Sequence, residues 1–329
     1  MSIKAWPVRG GTFVEVEREV PELRGRDLLV RVHAVSVNPV DYKVASGVGA
    51  GQQKQLGYDA AGVVEAVGPD ANLFKVGDEV YYAGDISRDG TNAELHAVDE
   101  RIVGRKPASL SWEEAAALPL TTITAWEALF EHMRLTPQDK GHLLMVGAAG
   151  GVGSIAIQLV KSLVPGVEVI ATAGRGASQD WVRSLGADHV IGRDHLGEDV
   201  RAIAPEGVRW ILSPYTAGNL DTYAQLVLPF GRVVATDEPD GLETLPLKSK
   251  SASLHWEMMF ARITNEAPDV DEQGRLLTRV AEMVDAGTVR STLTRIFEGP
   301  VPDALRQAHA LLSSGGSIGK AAVRTAGSL

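Results

Sequence analysis

Hydrophobic and polar positions alternate with a period of two along roughly the first hundred residues. The stretches DLLVRVHAVSV, AGVVEAVG and DEVYYAG are rich in Val and Tyr, and Gly, Pro and Asp separate them. Alternation bounded by turn residues is typical of strands with one buried face. The pattern predicts a β-rich N-terminal region.

Helical spacing replaces this alternation at SLSWEEAAALPL. Ser111 precedes Glu114 by three residues, ahead of an alanine-rich stretch. This spacing indicates a capping box, in which a hydroxyl and a carboxylate satisfy the first N–H groups of a helix. TTITAWEALFEHMRL continues with the same spacing, so helical structure is predicted up to TPQDKG.

Short apolar strands alternate with helices beyond His142. The predicted strands are HLLMV, VEVIAT, HVI, VRWILS and GRVVAT, and the predicted helices between them include SIAIQLVKSL, QDWVRSLG and LDTYAQLVL. Such alternation predicts an α/β domain with a parallel, doubly wound sheet. SASLHW is expected to add a strand. The tail from about Asn265 breaks the alternation, and we expect it to pack back on the N-terminal domain.

Charge and composition exclude several classes of protein. The chain has 329 residues and a formal net charge of −10, with no cysteine. Without a long basic run, binding to nucleic acid through a phosphate-neutralising surface is not expected. The lack of cysteine excludes disulfides and thiolate ligands. The N-terminal twenty residues lack the apolar core of a signal peptide, so we expect a cytoplasmic protein.

An uncharged stretch from Leu143 to Val160 is long enough to suggest a membrane span. Four glycines interrupt it in one cluster, however, and glycine is a poor residue for a helix interior. A buried strand, a tight turn and a helix fit this stretch better, and no membrane association is expected.

The glycines match a dinucleotide-binding fingerprint. Within VGAAGGVGSIAIQ the pattern is Ala148-x-Gly150-x-x-Gly153, between a predicted strand and a predicted helix. Gly150 would let the backbone approach a pyrophosphate, and Gly153 would let the helix pack closely on the strand. The phosphates would lie at the helix N-terminus, where free N–H groups favour an anion.

The end of the next strand bears on the choice of cofactor. NAD-binding sites place an Asp or Glu about twenty residues after the glycines. Here ATAGRGASQD offers no carboxylate before Asp180, but it does offer Arg175, with Thr172 and Ser178 nearby. A guanidinium suits a 2′-phosphate, so NADPH is expected rather than NADH. The alternative, that Arg175 is only a solvated loop residue, stays open.

Several motifs in this order resemble the medium-chain dehydrogenase/reductases. NPVDYKVASG, LGYDAAGVVEAVG, KVGDEVY and GTNAELHAV precede AAGGVG, and the similarity covers essentially the whole chain. The zinc-independent quinone oxidoreductase branch, of the zeta-crystallin type, is the most similar. KSKSASLHWEMMF also resembles a subgroup called zinc-type alcohol dehydrogenase-like.

The resemblance implies two domains and a dimer. A GroES-like catalytic domain would hold residues 1–119, a Rossmann cofactor domain residues 120–262, and residues 263–329 would return to the catalytic domain. In the family the region of HWEMMF carries an edge strand that pairs across a homodimer, although such a run could equally belong to the core.

The residues argue against zinc. Zinc-dependent relatives have a Cys at the position of Asn38 and a His-Glu pair at the positions of Tyr58 and Asp59. The four-cysteine structural zinc loop has no counterpart, and the eight histidines include no pair at i, i+4. Catalytic zinc needs three protein ligands, so no metal is expected.

The resemblance also implies candidate site residues. Asn38, with an amide that can donate to a carbonyl, and Tyr42 lie in the stretch that lines the nicotinamide in quinone reductases, and Tyr58 should face the same site. Asp41, taken as exposed and ionised, is expected to act as a structural acceptor. The catalytic candidates are Asn38, Tyr58, Tyr42, Asp41, Thr124, and Arg262, which is expected to reach the site from the cofactor domain. The cofactor-binding candidates are Ala148, Ala149, Gly150, Gly151, Val152, Gly153, Thr172, Arg175, Ser178, Arg193, Ser213, Thr236 and Lys320.

Together these features predict an NADPH-dependent oxidoreductase that transfers hydride, without metal, to a small-molecule quinone or α,β-unsaturated carbonyl. Conjugation already makes the acceptor carbon electrophilic, so hydrogen-bond donors can hold the negative charge that develops on oxygen. Two alternatives stay open: a zinc enzyme with unusual ligands, and a crystallin-like protein that binds the cofactor with little turnover.

Overall fold

The computed structural model describes residues 2–49, 51–174 and 176–325. The chain divides into two compact units, one formed by Met1–Ile123 with Phe260–Leu329 and the other by Thr124–Met259. The C-terminal segment thus belongs to the same unit as the N-terminal segment. The predicted boundaries at 119/120 and 262/263 compare with observed boundaries at 123/124 and 259/260.

The first unit is built mainly from strands. These are β1 Ser2–Ala5, β2 Val8–Arg9, β3 Thr12–Phe13, β4 Val16–Glu19, β5 Asp27–Ser36, β6 Gln53–Lys54, β7 Ala60–Val67, β8 Glu79–Tyr82, β9 Leu95–Asp99, β10 Val103–Arg105, and, from the C-terminal segment, β17 Leu293–Phe297 and β18 Lys320–Arg324. Its helices are α1 Pro39–Ser46, α2 Trp112–Ala116, α3 Pro119–Trp126, which contains the boundary between the units, α8 Ala261–Thr264, α9 Glu272–Asp285 and α10 Val301–Ser313, with a 3-10 turn at Glu100–Ile102.

The main sheet of this unit runs β10-β8-β7-β5-β18-β17, and β9 pairs with β5 off that path. Val30 and Val32 of β5 lie in the core. Strand β18 pairs antiparallel with β5, with Ala322 opposite Ser36. The start of β18 therefore lies beside the segment that follows β5. This register positions the site described below.

The second unit is the predicted parallel sheet with helices. Its strands are β11 Gly141–Met145, β12 Val167–Thr172, β13 His189–Ile191, β14 Val208–Ser213, β15 Val227–Ala235 and β16 Ser253–Trp256. Its helices are α4 Gly151–Leu163, α5 Ala177–Ser184, α6 Leu196–Ile203 and α7 Leu220–Leu226, with a 3-10 helix at Leu245–Lys250 and a π-helix at Glu127–His132.

All pairings in this second sheet are parallel, in the order β13-β12-β11-β14-β15-β16. That is the doubly wound order, in which the strand sequence reverses beside the first strand. Buried Leu144, Ile170, Ile211 and Val233 form part of its core. The predicted α/β class, with SASLHW as an added strand, is confirmed.

Two local predictions are also confirmed. The hydroxyl of Ser111 accepts a hydrogen bond from the backbone N–H of Glu114 at 3.3 Å, and the Glu114 carboxylate accepts from the N–H of Ser111 at 3.0 Å. The uncharged stretch from 143 to 160 divides into β11, a turn and α4. None of the helices formed by the described residues has the length and apolarity needed to cross a bilayer.

Gly153, in the first turn of α4, packs tightly against Ala148 in the turn that follows β11. A Cβ atom at this position would stand 2.4 Å from the carbonyl oxygen of Ala148 and 2.5 Å from its Cα. Only glycine fits such a distance without movement of the backbone. The close approach expected at Gly153 is therefore observed, and it is made to the turn.

We predict that Gly153→Ala lowers the free energy of unfolding by roughly 1–3 kcal/mol, the usual cost of overpacking. Urea unfolding of the purified protein would measure it. Gly150→Ala is the matched control, because its Cβ would lie 3.5 Å from the nearest atom, the Gly147 carbonyl oxygen. It should cost less than about 1 kcal/mol as a change at a helix N-cap. Equal losses for the two variants would contradict the steric account.

Candidate active site

Asn38 is the N-cap of α1, directly after β5. Its backbone is extended, and Pro39 provides a preset φ for the first helical position. The carboxylate of Asp41 accepts a hydrogen bond from the Asn38 N–H at 2.8 Å. The local sequence NPVD thus fixes where the helix begins and which way the Asn38 side chain leaves it.

The Asn38 amide is bonded within the protein. Its Nδ2 donates to Asp59 Oδ2 at 2.8 Å and, over 3.5 Å, to the carbonyl oxygen of Tyr58. Its Oδ1 accepts from the ammonium of Lys320. We expected this amide to donate to a substrate carbonyl; here its hydrogens point to protein oxygens instead. Asn38 thus holds the site together.

Asp41 is not the exposed carboxylate that we expected. It is 1% exposed and also accepts a hydrogen bond from the N–H of Gly57 at 3.0 Å. Burial raises the pKa of Asp41 to about 7, although the two backbone donors and Lys320 oppose the rise. The prediction that it is a structural acceptor agrees with these contacts, but the assumed exposure was wrong.

Tyr58 is fully buried, at 0% exposure. Its ring packs edge-on against Phe260 at 5.5 Å between centroids. Its hydroxyl is buried and has no hydrogen-bond partner among the described residues. Burial raises the pKa of Tyr58, so the phenol keeps its proton. A buried phenol normally has a partner, and this one is a donor without an acceptor.

Asp59 and Lys320 form a buried ion pair next to Tyr58. Lys320 Nζ lies 3.0 Å from Asp59 Oδ2, and the two side chains are 5% and 0% exposed. The other carboxylate oxygen of Asp59 accepts from the N–H of Leu120 at 2.7 Å. Burial raises the pKa of Asp59, while the ammonium opposes that rise. We expected Lys320 near the cofactor; the structure instead points its ammonium into the protein.

Three further catalytic candidates were expected, namely Tyr42, Thr124 and Arg262. Tyr42 is on α1 and 36% exposed, and Thr124, the first residue of the second unit, is 7% exposed. Arg262 was expected to belong to the cofactor domain, but it lies on α8 in the first unit, and its Nε donates to Asp269 at 3.1 Å. That expectation was wrong, because the chain returns to the first unit at Phe260.

The donor set does not fit zinc. Asn38 and Tyr58 replace two of the ligands found in zinc-dependent relatives, and the ammonium of Lys320 already contacts both Asn38 and Asp59. Over the described ranges, no group of three or more His, Cys, Asp or Glu side chains could hold a metal ion. A divalent ion here would have to displace a buried positive charge.

The glycine turn of the second unit has the geometry of a phosphate-binding loop. Gly147 has φ +67°, a left-handed conformation that suits glycine, and its N–H donates to Thr172 Oγ1 at 2.8 Å. Gly150 is extended and caps α4, so Gly151, Val152 and Gly153 form the first helical turn. By helix geometry the first N–H groups of that turn have no acceptor within the helix. Ala149 lies between Gly147 and Gly150, and its carbonyl oxygen accepts a hydrogen bond from the Ser154 hydroxyl at 3.4 Å.

Ser213 and Thr236, two other cofactor candidates, lie at the carboxyl ends of neighbouring strands. Ser213 Oγ is hydrogen-bonded to the Tyr223 hydroxyl at 2.8 Å, and the Thr236 N–H donates to the carbonyl oxygen of Ser213 at 3.0 Å. The Arg193 guanidinium stacks on Tyr215, 5.1 Å from the ring centroid. Ser178 lies in the first turn of α5. Ala148 is buried, and Arg175 lies outside the described residues.

Tyr215 is a residue that sequence reasoning missed. It is 47% exposed, and its ring would stand 2.9 Å from a Cβ at Gly147. An exposed aromatic beside the glycine turn is a further candidate for contact with a nucleotide. Its place two residues after the end of β14 was the available signal, because ligands bind at the carboxyl ends of parallel strands.

Both units match known families. Residues 24–120 match the alcohol dehydrogenase GroES-like domain, and residues 185–323 match the zinc-binding dehydrogenases. The first unit is thus GroES-like, and the second has the Rossmann sheet, as predicted.

Relatives match over nearly the whole chain. A zinc-type alcohol dehydrogenase-like protein of Staphylococcus aureus is 37% identical, over 94% of each chain. A solved structure from Rhizobium etli, assigned to the zinc-dependent alcohol dehydrogenases, is 45% identical with a TM-score of 0.93, covering 100% of this chain and 99% of that one. The quinone oxidoreductase of Coxiella burnetii is 26% identical with a TM-score of 0.81, covering 99% and 100%. The chain therefore belongs to the medium-chain dehydrogenase/reductase superfamily of oxidoreductases.

Proposed function

We propose that this protein is an NADPH-dependent reductase of quinones or α,β-unsaturated carbonyls that works without a metal ion. The observation that carries the proposal is the hydroxyl of Tyr58, buried and without an acceptor among the described residues. The backbone carbonyl of the same residue contacts Asn38 Nδ2, which belongs to the bonded cluster of Asn38, Asp59 and Lys320. An acceptor carbonyl would supply the hydrogen-bond acceptor that the phenol lacks.

Tyr58 stabilises the charge that develops on the acceptor. NADPH, when bound, supplies the hydride. As the conjugated carbon accepts it, negative charge grows on the carbonyl oxygen, and the phenol donates a hydrogen bond to that oxygen. Because its pKa is raised by burial, Tyr58 holds its proton at neutral pH and acts as a fixed donor. Preorganised donors in a water-poor site are effective for this purpose.

The other site residues either position Tyr58 or bind the cofactor. Asn38 and Asp41 hold the start of α1 and the strand segment that carries Tyr58. The turn at Ala148–Gly153 would hold the pyrophosphate against the N-terminus of α4. Tyr215 and Arg193 would contact the nucleotide at the strand ends, and Arg175 would bind the 2′-phosphate. Tyr42, Thr124 and Arg262 remain candidates for contact with the nicotinamide or the acceptor.

The names of the relatives suggest two different activities. The Coxiella burnetii protein is named a quinone oxidoreductase. The Staphylococcus aureus protein is named zinc-type alcohol dehydrogenase-like, and the Rhizobium etli protein is assigned to the zinc-dependent alcohol dehydrogenases. The donor set around Asn38 and Asp59 favours the metal-free reading for this chain. Oxidation of an unactivated alcohol would need an electrophile for the alkoxide, whereas an enone or quinone is already polarised.

We also propose a homodimer that forms through β16. This strand is at one end of the parallel sheet and pairs only with β15 in the described part of the chain. Trp256 and Met258 beside it are 50% and 51% exposed. An edge strand with exposed large apolar side chains is a template for pairing with another strand.

The first prediction from the proposed function concerns turnover and Tyr58. The purified protein should oxidise NADPH when 1,2- or 1,4-quinones or 2-alkenals are added, and Tyr58→Phe should lower kcat/KM by about 100-fold, as loss of one oxyanion donor does. Because the hydroxyl has no partner to lose, the thermal stability of this variant should not fall.

Tyr82→Phe is the matched control, since the Tyr82 hydroxyl is hydrogen-bonded to His96 Nδ1 at 3.1 Å. It should lose about 1 kcal/mol of stability and keep its kcat/KM. Tight NADPH binding without acceptor-dependent oxidation would instead support the crystallin-like alternative. Unchanged kcat/KM in Tyr58→Phe would remove the phenol from the mechanism.

The second prediction concerns the cofactor. Arg175→Ala should raise the KM for NADPH by roughly 10- to 100-fold, the worth of a charge-assisted hydrogen bond, and leave the KM for NADH unchanged. Arg183, which is exposed on α5 and pairs with Asp180, provides the control. If Arg175→Ala and Arg183→Ala behave alike, Arg175 is a solvated loop residue.

The third prediction concerns assembly. Trp256→Lys should convert a dimer to a monomer in light scattering coupled to size-exclusion chromatography, because a charge opposes burial at an interface. Val76→Lys, at another exposed apolar position with 60% exposure, should leave the mass unchanged. A monomeric wild-type protein at micromolar concentration would refute the dimer.

A further inference from the structure

The ammonium of Lys320 is surrounded by three oxygens of the first unit. Its Nζ donates to the Val37 carbonyl oxygen at 2.8 Å, to Asp59 Oδ2 at 3.0 Å and to Asn38 Oδ1. A lysine ammonium has three protons, so each proton has an acceptor. The side chain is 5% exposed. The ammonium therefore has no proton left to donate to a cofactor phosphate. Its low exposure also shows that it is not in contact with bulk solvent.

These three oxygens belong to segments that are distant in sequence. Val37 and Asn38 follow β5, Asp59 precedes β7, and Lys320 begins β18. Asp59 extends the network, because its carboxylate also accepts from Asn38 Nδ2 and from the N–H of Leu120 at the start of α3. One positive charge thus joins four segments around the backbone of Tyr58.

We propose that the Lys320 ammonium is a resident internal cation of this site, a positioning residue that balances the charge of Asp59 and holds Asn38 and Tyr58 in place. The cation is covalently attached to the chain, and it contacts Asn38 Oδ1 and Asp59 Oδ2 directly. The inference about structure is independent of the reaction; only its effect on turnover rests on the proposed function.

A free cation that replaces the Lys320 side chain must meet specific chemical conditions. Removal of the lysine side chain beyond Cβ would leave a cavity lined by the Val37 carbonyl, Asn38 Oδ1 and Asp59 Oδ2, with a buried carboxylate that lacks its counter-ion. A cation that fits must be small and must donate directed hydrogen bonds to these oxygens. A primary alkylammonium ion meets both conditions, whereas tetramethylammonium has the charge but no N–H group.

The experiment is chemical rescue of Lys320→Ala. We expect the variant to melt about 10 °C below the wild type, since loss of one partner from a buried ion pair is strongly destabilising. Ethylammonium chloride should recover a substantial part of this loss, and tetramethylammonium chloride at the same concentration should recover little. The exposed Lys75→Ala is the control, and its melting temperature should respond equally to the two salts.

Three outcomes would overturn the proposal. One is a melting temperature of Lys320→Ala within about 2 °C of the wild type, and another is an equal response of that variant to the two salts. The third is stoichiometric metal in the wild-type protein, measured by mass spectrometry after extensive dialysis, that is lost in Asp59→Asn. A tenfold weaker NADPH affinity with unchanged melting would likewise assign Lys320 to the cofactor.

A second pair of variants covers the case in which Lys320→Ala does not fold. Lys320→Met keeps most of the side-chain volume and leaves Asp59 without its counter-ion, whereas Lys320→Met with Asp59→Asn removes both charges. The double variant should melt at a higher temperature than Lys320→Met. A double variant that is no more stable than the single one contradicts the ion pair as the source of the effect.

Turnover separates this inference from the proposed function. Lys320→Ala should lower kcat for the acceptor at least tenfold while the Kd for NADPH stays within about twofold, and ethylammonium should raise kcat again. If the wild type shows no acceptor-dependent oxidation, the proposed function fails, but selective thermal rescue by ethylammonium still supports the resident cation. If turnover is present and thermal rescue is absent, only the inference fails.

Discussion

The site in the first unit depends on one buried ion pair, between Asp59 and Lys320. Transfer of either charge from water into the protein interior is costly, and mutual attraction alone does not always offset that cost. Here hydrogen bonds to the Leu120 N–H, the Asn38 amide and the Val37 carbonyl complete the arrangement. Because each member needs the others, the segments around Tyr58 have little freedom to move separately.

The bonded network of Asn38, Asp59 and Lys320 is the setting in which the unbonded hydroxyl of Tyr58 is interpreted. Tyr58 adjoins a cluster whose polar atoms are bonded to one another, yet its own hydroxyl lacks an acceptor among the described residues. Leaving a buried donor unbonded costs free energy, and a ligand that brings an acceptor recovers it. An ammonium with all its protons engaged has no open coordination position for an alkoxide. The substrate class proposed above, in which conjugation already polarises the carbonyl, suits such a site.

Local patterns in the sequence were sufficient for much of the fold. Period-two alternation and the strand–helix succession predicted the two kinds of unit, and spacing alone predicted the capping box of Ser111 and the close packing at Gly153. These features depend on residues within a few positions of one another. The family resemblance, rather than any pattern, directed attention to Asn38 and Tyr58.

What could not be predicted depends on contacts between distant segments. Asp59 was noticed only as the replacement of a lost ligand, because its partner lies 261 residues away. The burial of Asp41 and the location of Arg262 depend likewise on how the C-terminal segment returns. The register between β5 and β18 brings Lys320 beside the segment after β5, and no short window of sequence contains that register.

The position of Lys320 near the C-terminal end also has a consequence for biosynthesis. The second unit is continuous in sequence, so all of it leaves the ribosome before β18 does, and domains can fold as they emerge. The first unit is split, and its last strand carries the countercharge for Asp59. Until that strand is translated, the carboxylate is more stable in water than in the protein interior. The nascent chain therefore completes its second unit before the first unit, which holds Tyr58.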